Sequence, residues 1–87
     1  MSYKILWADQ KVKRTFDTLE SKMQARLQKT IAGLIANPRP QGCKKLSGKL
    51  AGIWRLRIGS FRLLYDIDDP QKYVVLLDLD HRRQIYR

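Results

Sequence analysis

The chain has 87 residues, enough for one small domain and too few for a second core. Its 18 Lys and Arg against 8 Asp and Glu give a formal net charge of +10 and an isoelectric point near 10.2, while 44% hydrophobic residues exclude a disordered basic tail. A single cysteine, Cys43, and a single histidine, His81, exclude an internal disulfide and a cysteine-based zinc site, so neither metal nor cofactor is expected.

Tyr3 to Trp7 is a short apolar-rich run suited to an edge strand. Asp9 is placed to cap the helix that follows, whose apolar positions Val12, Phe16 and Leu19 fall at helical spacing. Ser21 with Gln24 has the capping-box pattern for a second helix carrying Met23, Leu27, Ile31, Leu34 and Ile35. Asn37-Pro38, followed by Pro40, ends that helix, because proline cannot continue the backbone ladder. A Gly-bearing basic loop runs from Gln41 to Gly52.

The stretch IWRLRIGSFRLLYDI, from Ile53 to Ile67, reads as a β-hairpin. Alternation puts Trp54, Leu56 and Ile58 on one side of the first strand and Arg55 and Arg57 on the other. Gly59-Ser60 is a Gly-X dipeptide of the kind that closes a two-residue hairpin, which sets Ile58 opposite Phe61 and Arg57 opposite Arg62. An Asp68-Asp69-Pro70 turn then leads to a strand from Tyr73 to Leu79. Unbroken alternation there would put Val75, Leu77 and Leu79 on one face and Asp78, Asp80 and Arg82 on the other. The expected fold is α+β, one domain over residues 1–87 in the order β-α-α-β-β-β, with a small antiparallel sheet packed against an N-terminal pair of helices.

Charge is distributed unevenly along the chain. No Asp or Glu lies between Glu20 and Asp66, whereas Lys22, Arg26, Lys29, Arg39, Lys44, Lys45, Lys49, Arg55, Arg57 and Arg62 all do. Such a one-signed stretch attracts polyphosphate through a salt-sensitive, sequence-blind term. Like charges opposite one another in an antiparallel pair are destabilising, so folding alone does not favour Arg57 facing Arg62; a phosphate ligand would, because guanidinium donors match its oxygens. The start, MSYKILWADQ, lacks the apolar run of a signal peptide and no segment approaches membrane-spanning length, so cytoplasmic residence without a membrane partner is expected.

The chain ends DHRRQIYR, which places His81, Arg82, Arg83 and Tyr86 just beyond the last strand, where they can lie beside Arg55, Arg57 and Arg62. Metal-free RNA cleavage needs a base for the 2′-hydroxyl, charge for the phosphorane and an acid for the leaving 5′-oxygen. DNA lacks that internal nucleophile. The same residues also fit plainer roles: His81 as a hydrogen-bonding strand end, Tyr86 as a plug at the core edge, Arg83 as solvated charge. From the residues alone the chain binds RNA, and cleavage stays open.

Three stretches, NPRP (Asn37 to Pro40), KKLSGKLAGIWRLRIGSFRLLYDI (Lys44 to Ile67) and DHRRQIY (Asp80 to Tyr86), resemble the RelE/ParE toxin superfamily. They are most similar to the RelE-type mRNA interferases of bacterial and archaeal toxin–antitoxin modules. The resemblance implies ribosome-dependent cleavage of mRNA in the decoding A site, with no metal, by in-line attack of the 2′-hydroxyl. It implies partners as well: the ribosome with its mRNA, a cognate RelB-like antitoxin, and operator DNA reached only through that antitoxin. Arg55 and Arg57 match the paired basic residues of the strand, Arg62 the phosphate-binding arginine, Arg82 the arginine after the last strand, and Tyr86 the near-terminal tyrosine. His81 falls at a position that is basic in the family, and Lys44, Lys45, Lys49 and Arg83 add RNA- or ribosome-binding charge. The best-studied RelE enzyme has lysines where this chain has Arg55 and Arg57. Arginine stays protonated, so the resemblance leaves proton transfer to Tyr86, with His81 or Arg82 as partners. The same superfamily contains ParE-like toxins that poison DNA gyrase, and a non-catalytic RNA- or ribosome-binding domain is a third reading.

Overall fold

Local chemistry sets the two helices. In the computed structural model, which describes residues 2–81, strand β1 (Lys4–Trp7) leads into helix α1 (Gln10–Asp17). The Asp9 carboxylate accepts the Val12 N–H at 3.0 Å, the cap expected from sequence. Helix α2 (Ser21–Ala36) does not close with a Ser21–Gln24 capping box: Glu20 holds the cap position without a side-chain hydrogen bond. Gln24 turns instead to the end of α1, where its amide donates to the Phe16 and Asp17 carbonyls at 2.9 and 3.1 Å. The Phe16 carbonyl also accepts the Leu19 N–H at 3.2 Å, and Gln24 adds a second donor there while tying the helices together. Asn37 ends α2, and its side-chain oxygen accepts the Arg39 N–H at 3.1 Å across the intervening proline.

The remaining strands are β2 (Lys44–Lys45), β3 (Trp54–Ile58), β4 (Phe61–Asp68) and β5 (Tyr73–His81), in the spatial order β1-β5-β4-β3-β2. β2 through β5 form an antiparallel meander, and β1 adds to β5 in parallel, so the sheet is mixed. β1 lies at the edge, as expected. β2 is a two-residue strand inside the stretch that sequence reads as loop. No helix among the described residues is long and apolar enough to cross a membrane.

The core lies between the helices and one face of the sheet. Val12, Phe16, Leu27 and Leu34 from the helices are buried, together with Leu56, Ile58, Leu63, Tyr65, Val74, Leu76 and Leu79 from the strands. The face expected of β5 changes partway along it. The register with β4 runs Leu63–Leu79 and Leu64–Asp78, then Tyr65–Leu76, so Leu77 is an extra residue in a bulge. The bulge reverses the alternation: Val74 and Leu76 join Leu79 in the core, and Val75 and Leu77 do not.

Two polar ties hold the end of the sheet away from the β3–β4 turn. The buried Tyr65 hydroxyl donates to the Pro38 carbonyl at 2.9 Å, and burial pushes the phenol pKa well up. Asp69, in the β4–β5 turn, accepts from Nη2 and Nη1 of Arg39, at 2.7 and 3.3 Å, and from the Tyr3 hydroxyl at 2.5 Å. These bonds, Arg39 first and Tyr3 next, hold the Asp69 carboxyl down at about 2.

Tyr65→Phe leaves the Pro38 carbonyl without its buried donor and is expected to lower unfolding free energy by about 1–3 kcal/mol in urea titrations. Asp69 has a depressed folded-state pKa, so its stabilisation is present above the unfolded carboxylate range and lost as pH falls toward 2. Wild type is therefore expected to melt above Asp69→Asn at pH 5–8, with the gap closing below pH 4; a gap independent of pH would contradict the assignment.

Candidate nucleic-acid interface

The β3–β4 hairpin closes at Gly59, whose φ of +62° is one that L side chains rarely adopt, while Ser60 has no positive φ. Positive φ at the first central position alone is the type II′ pattern, which fixes the register of the strands. Ile58 pairs with Phe61 and Arg57 with Arg62, as the sequence leads one to expect. The apolar partners face the helices, which forces the arginines together on the opposite face.

Two cross-strand rows run over that opposite face. One reads Lys44, Arg55, Leu64, Asp78 and the other Arg57, Arg62, Asp80, each in direct register. Arg57 is exposed and Arg55 half-buried, whereas Arg62 retains only 2% of its surface. A guanidinium so withdrawn from water is a stronger local charge than an exposed one. The face is cationic toward β3 and acidic toward β5. Asp78 and Asp80 are pinned by the next residue's backbone, accepting the Leu79 and His81 N–H groups at 2.9 and 2.8 Å.

The structure thus brings Arg55, Arg57 and Arg62 together, and Lys44 joins them through its register with Arg55. Lys45 pairs with Trp54, on the other side of the edge, and Lys49 is exposed in a single 3-10 turn, Gly48–Leu50. His81 does not join the arginines. It lies within β5 rather than beyond it, in register with Phe61, and its ring meets the Phe61 ring edge-on with centroids 5.3 Å apart. The signal was present in the sequence: His81 is two residues from the core residue Leu79, so alternation gives it the helix-side face. Arg82, Arg83 and Tyr86 lie outside the described residues.

Arg39 is also separate from this face. Besides its ion pair with Asp69, its guanidinium lies 5.3 Å from the centroid of the Trp54 ring, and the Asp69 hydrogen bond raises its pKa. Chemically, the described part of the arginine face can orient a phosphate and neutralise charge developing on it.

Comparison with known proteins agrees with this architecture. The family model for "ParE toxin of type II toxin-antitoxin system, parDE" matches residues 7–86. Toxin RelG of Mycobacterium tuberculosis is 52% identical over 44 residues, 51% of this chain and 51% of that one, so the chain matches about half the length of that relative. Among solved structures, the RelBE2 toxin–antitoxin complex of M. tuberculosis superposes with a TM-score of 0.81 at 31% identity, over 94% of this chain and 100% of that one. The archaeal RelE–RelB complex of Pyrococcus horikoshii OT3 gives 0.81 at 25% identity, over 94% and 97%. The isolated Escherichia coli RelE toxin gives 0.78 at 20% identity, over 98% and 92%, and shares the fold. The match runs through both helices and every strand of the arginine face, and the chain belongs to the ParE toxin family of type II toxin–antitoxin systems, within the RelE/ParE superfamily.

Proposed function

We propose that this toxin is a metal-independent, ribosome-dependent endoribonuclease that cuts mRNA in the decoding A site and so halts translation in the cytoplasm. The observation that supports this most is the row Arg57–Arg62 on the face away from the helices, flanked by Arg55, with Arg62 only 2% exposed. Three arginines on one face of adjacent strands are unfavourable for a sheet and favourable for a phosphate. In the proposed reaction the 2′-hydroxyl attacks the adjacent phosphorus in line and the 5′-oxygen leaves, giving a 2′,3′-cyclic phosphate and a 5′-hydroxyl. Arg55, Arg57 and Arg62 hold the phosphate and stabilise the dianionic phosphorane, with Arg82 as a further cation. Arginine is a poor proton shuttle, so Tyr86 either takes the 2′-hydroxyl proton or gives one to the leaving 5′-oxygen, with His81, on the other face of the sheet, or Arg82 as its partner for the other transfer. The site offers charge with few base-reading groups, so the ribosome supplies the substrate geometry.

The cognate partner is a RelB-like antitoxin, supported by the RelB-bound complexes among the structural relatives. An acidic, foldable segment suits the cationic face; it blocks ribosome entry, and operator DNA is reached through the antitoxin alone. A second reading, inhibition of DNA gyrase, is favoured by the ParE description of the matched family. A domain that binds RNA or ribosomes without cutting is the third.

Toxin added to programmed ribosomes, with primer extension on the mRNA and a parallel gyrase supercoiling assay, separates the three: A-site cuts, gyrase inhibition, or neither. Exposed Arg57 tolerates substitution, and Arg57→Gln is expected to slow single-turnover cleavage by roughly 10²-fold or more. Tyr86→Phe is expected to slow it by roughly 10²–10⁴-fold. An undiminished rate in the tyrosine variant would remove that residue from proton transfer.

A further inference from the structure

Helix α2 carries a second cationic stripe, outside the arginine face. Lys22, Arg26 and Lys29 are exposed and spaced i, i+4, i+7, which puts them on one flank of the helix. The flank points to the β3 edge. Arg26 folds over the hairpin turn, so that a Cβ on Gly59 would lie 3.1 Å from its Nη1. Lys29 and Arg57 line the same open cleft of about 390 Å³, whose walls include Gly33, Leu56 and Pro40. The positive surface is therefore continuous from Arg57 around the sheet edge onto α2.

We infer that this α2 ridge is a second RNA contact, which takes the backbone of the strand whose scissile phosphate lies on the arginine face; the inference rests on the proposed RNA-cleaving function. The composition of the ridge identifies the occupant. Between Lys22 and Lys29 the exposed neutral residues are Ala25 and Gln28, neither an apolar anchor, and the exposed Ile35 lies nearly two turns beyond Lys29. A docking peptide draws its affinity from buried apolar anchors, whereas an RNA backbone needs only cations at intervals. Residues 22–29 cover about 10 Å of helix axis, beyond the reach of a single phosphate.

Binding of uncleavable 2′-O-methyl RNA, a 12-mer and a 4-mer, tests the inference by fluorescence anisotropy across a salt series. The variant Lys22→Gln/Lys29→Gln is compared with Lys11→Gln/Arg14→Gln, which removes the same charge from exposed sites on α1. The α2 pair is expected to bind the 12-mer on the order of tenfold more weakly at 0.1 M salt and to lower the log–log salt slope by about 1.4, at ~0.7 per phosphate contact. The α1 pair and the 4-mer are expected to show much less. Equal losses from both pairs would overturn the inference, because only long-range charge would then be at work. Unaltered RNA binding with weakened antitoxin binding would overturn it in favour of a peptide surface. On programmed ribosomes, wild-type toxin that leaves mRNA uncut removes the cleavage reading, whereas wild-type cutting with an unchanged KM in the α2 pair removes the ridge alone.

Discussion

Arg57 and Arg62 face each other across two hydrogen-bonded strands, and the hairpin has no other register in which to place them. A slip of β3 by one residue would turn Leu56 and Ile58 out of the core and Arg55 and Arg57 in. Burial of those side chains, at roughly 1.5–3 kcal/mol each, outweighs a like-charge repulsion on the order of 2–3 kcal/mol at a surface dielectric. The core thus holds two like charges opposite one another, with Asp80 next in the same row. Arg62 is nearly withdrawn from water, while Arg57 opposite it is exposed.

Polar ties elsewhere in the molecule fasten the sheet that carries this register. At the end of the sheet away from the hairpin turn, Tyr65 ties β4 to the Pro38 carbonyl and Asp69 gathers Arg39 and Tyr3. These bonds connect the segment after α2, the β4–β5 turn and the residue before β1, so the sheet is fastened where the arginines are not. The arrangement also divides the basic residues. Arg39 stacks on Trp54 and pairs with Asp69, whereas Arg57 stays exposed beside the cleft that leads to Lys29.

The hairpin was legible because two local signals agree, the period of two and the Gly-Ser turn, and together they determine which residues oppose one another. The Asp9 cap and the proline stop after α2 were legible for the same reason. What the sequence does not display is long-range or masked by composition. The run Tyr73 to Leu79 is apolar at nearly every position, so nothing local marks Leu77 as a bulge or selects Val74 and Leu76 over Val75 for the core. Parallel pairing of β1 with β5 joins residues about 70 apart in the chain and has no local signature. Gln24 fits a capping box on spacing alone, yet its amide reaches the last carbonyls of α1 instead. The side taken by His81 was legible too: counting two from Leu79 assigns it to the helix side, against Phe61.

Membership of the toxin family leaves the chemistry to be decided by the substrate itself. In the proposed account the attacking group belongs to the RNA, and the arginine face only orients and neutralises. The most direct measurement is cleavage of ribosome-bound mRNA that carries a single 2′-deoxy nucleotide immediately 5′ of the scissile bond. The account predicts that this one substitution abolishes the A-site cut, while the all-ribose message yields a 2′,3′-cyclic phosphate and a 5′-hydroxyl. A cut that persists at the deoxy position, or ends that bear a 5′-phosphate, would contradict it.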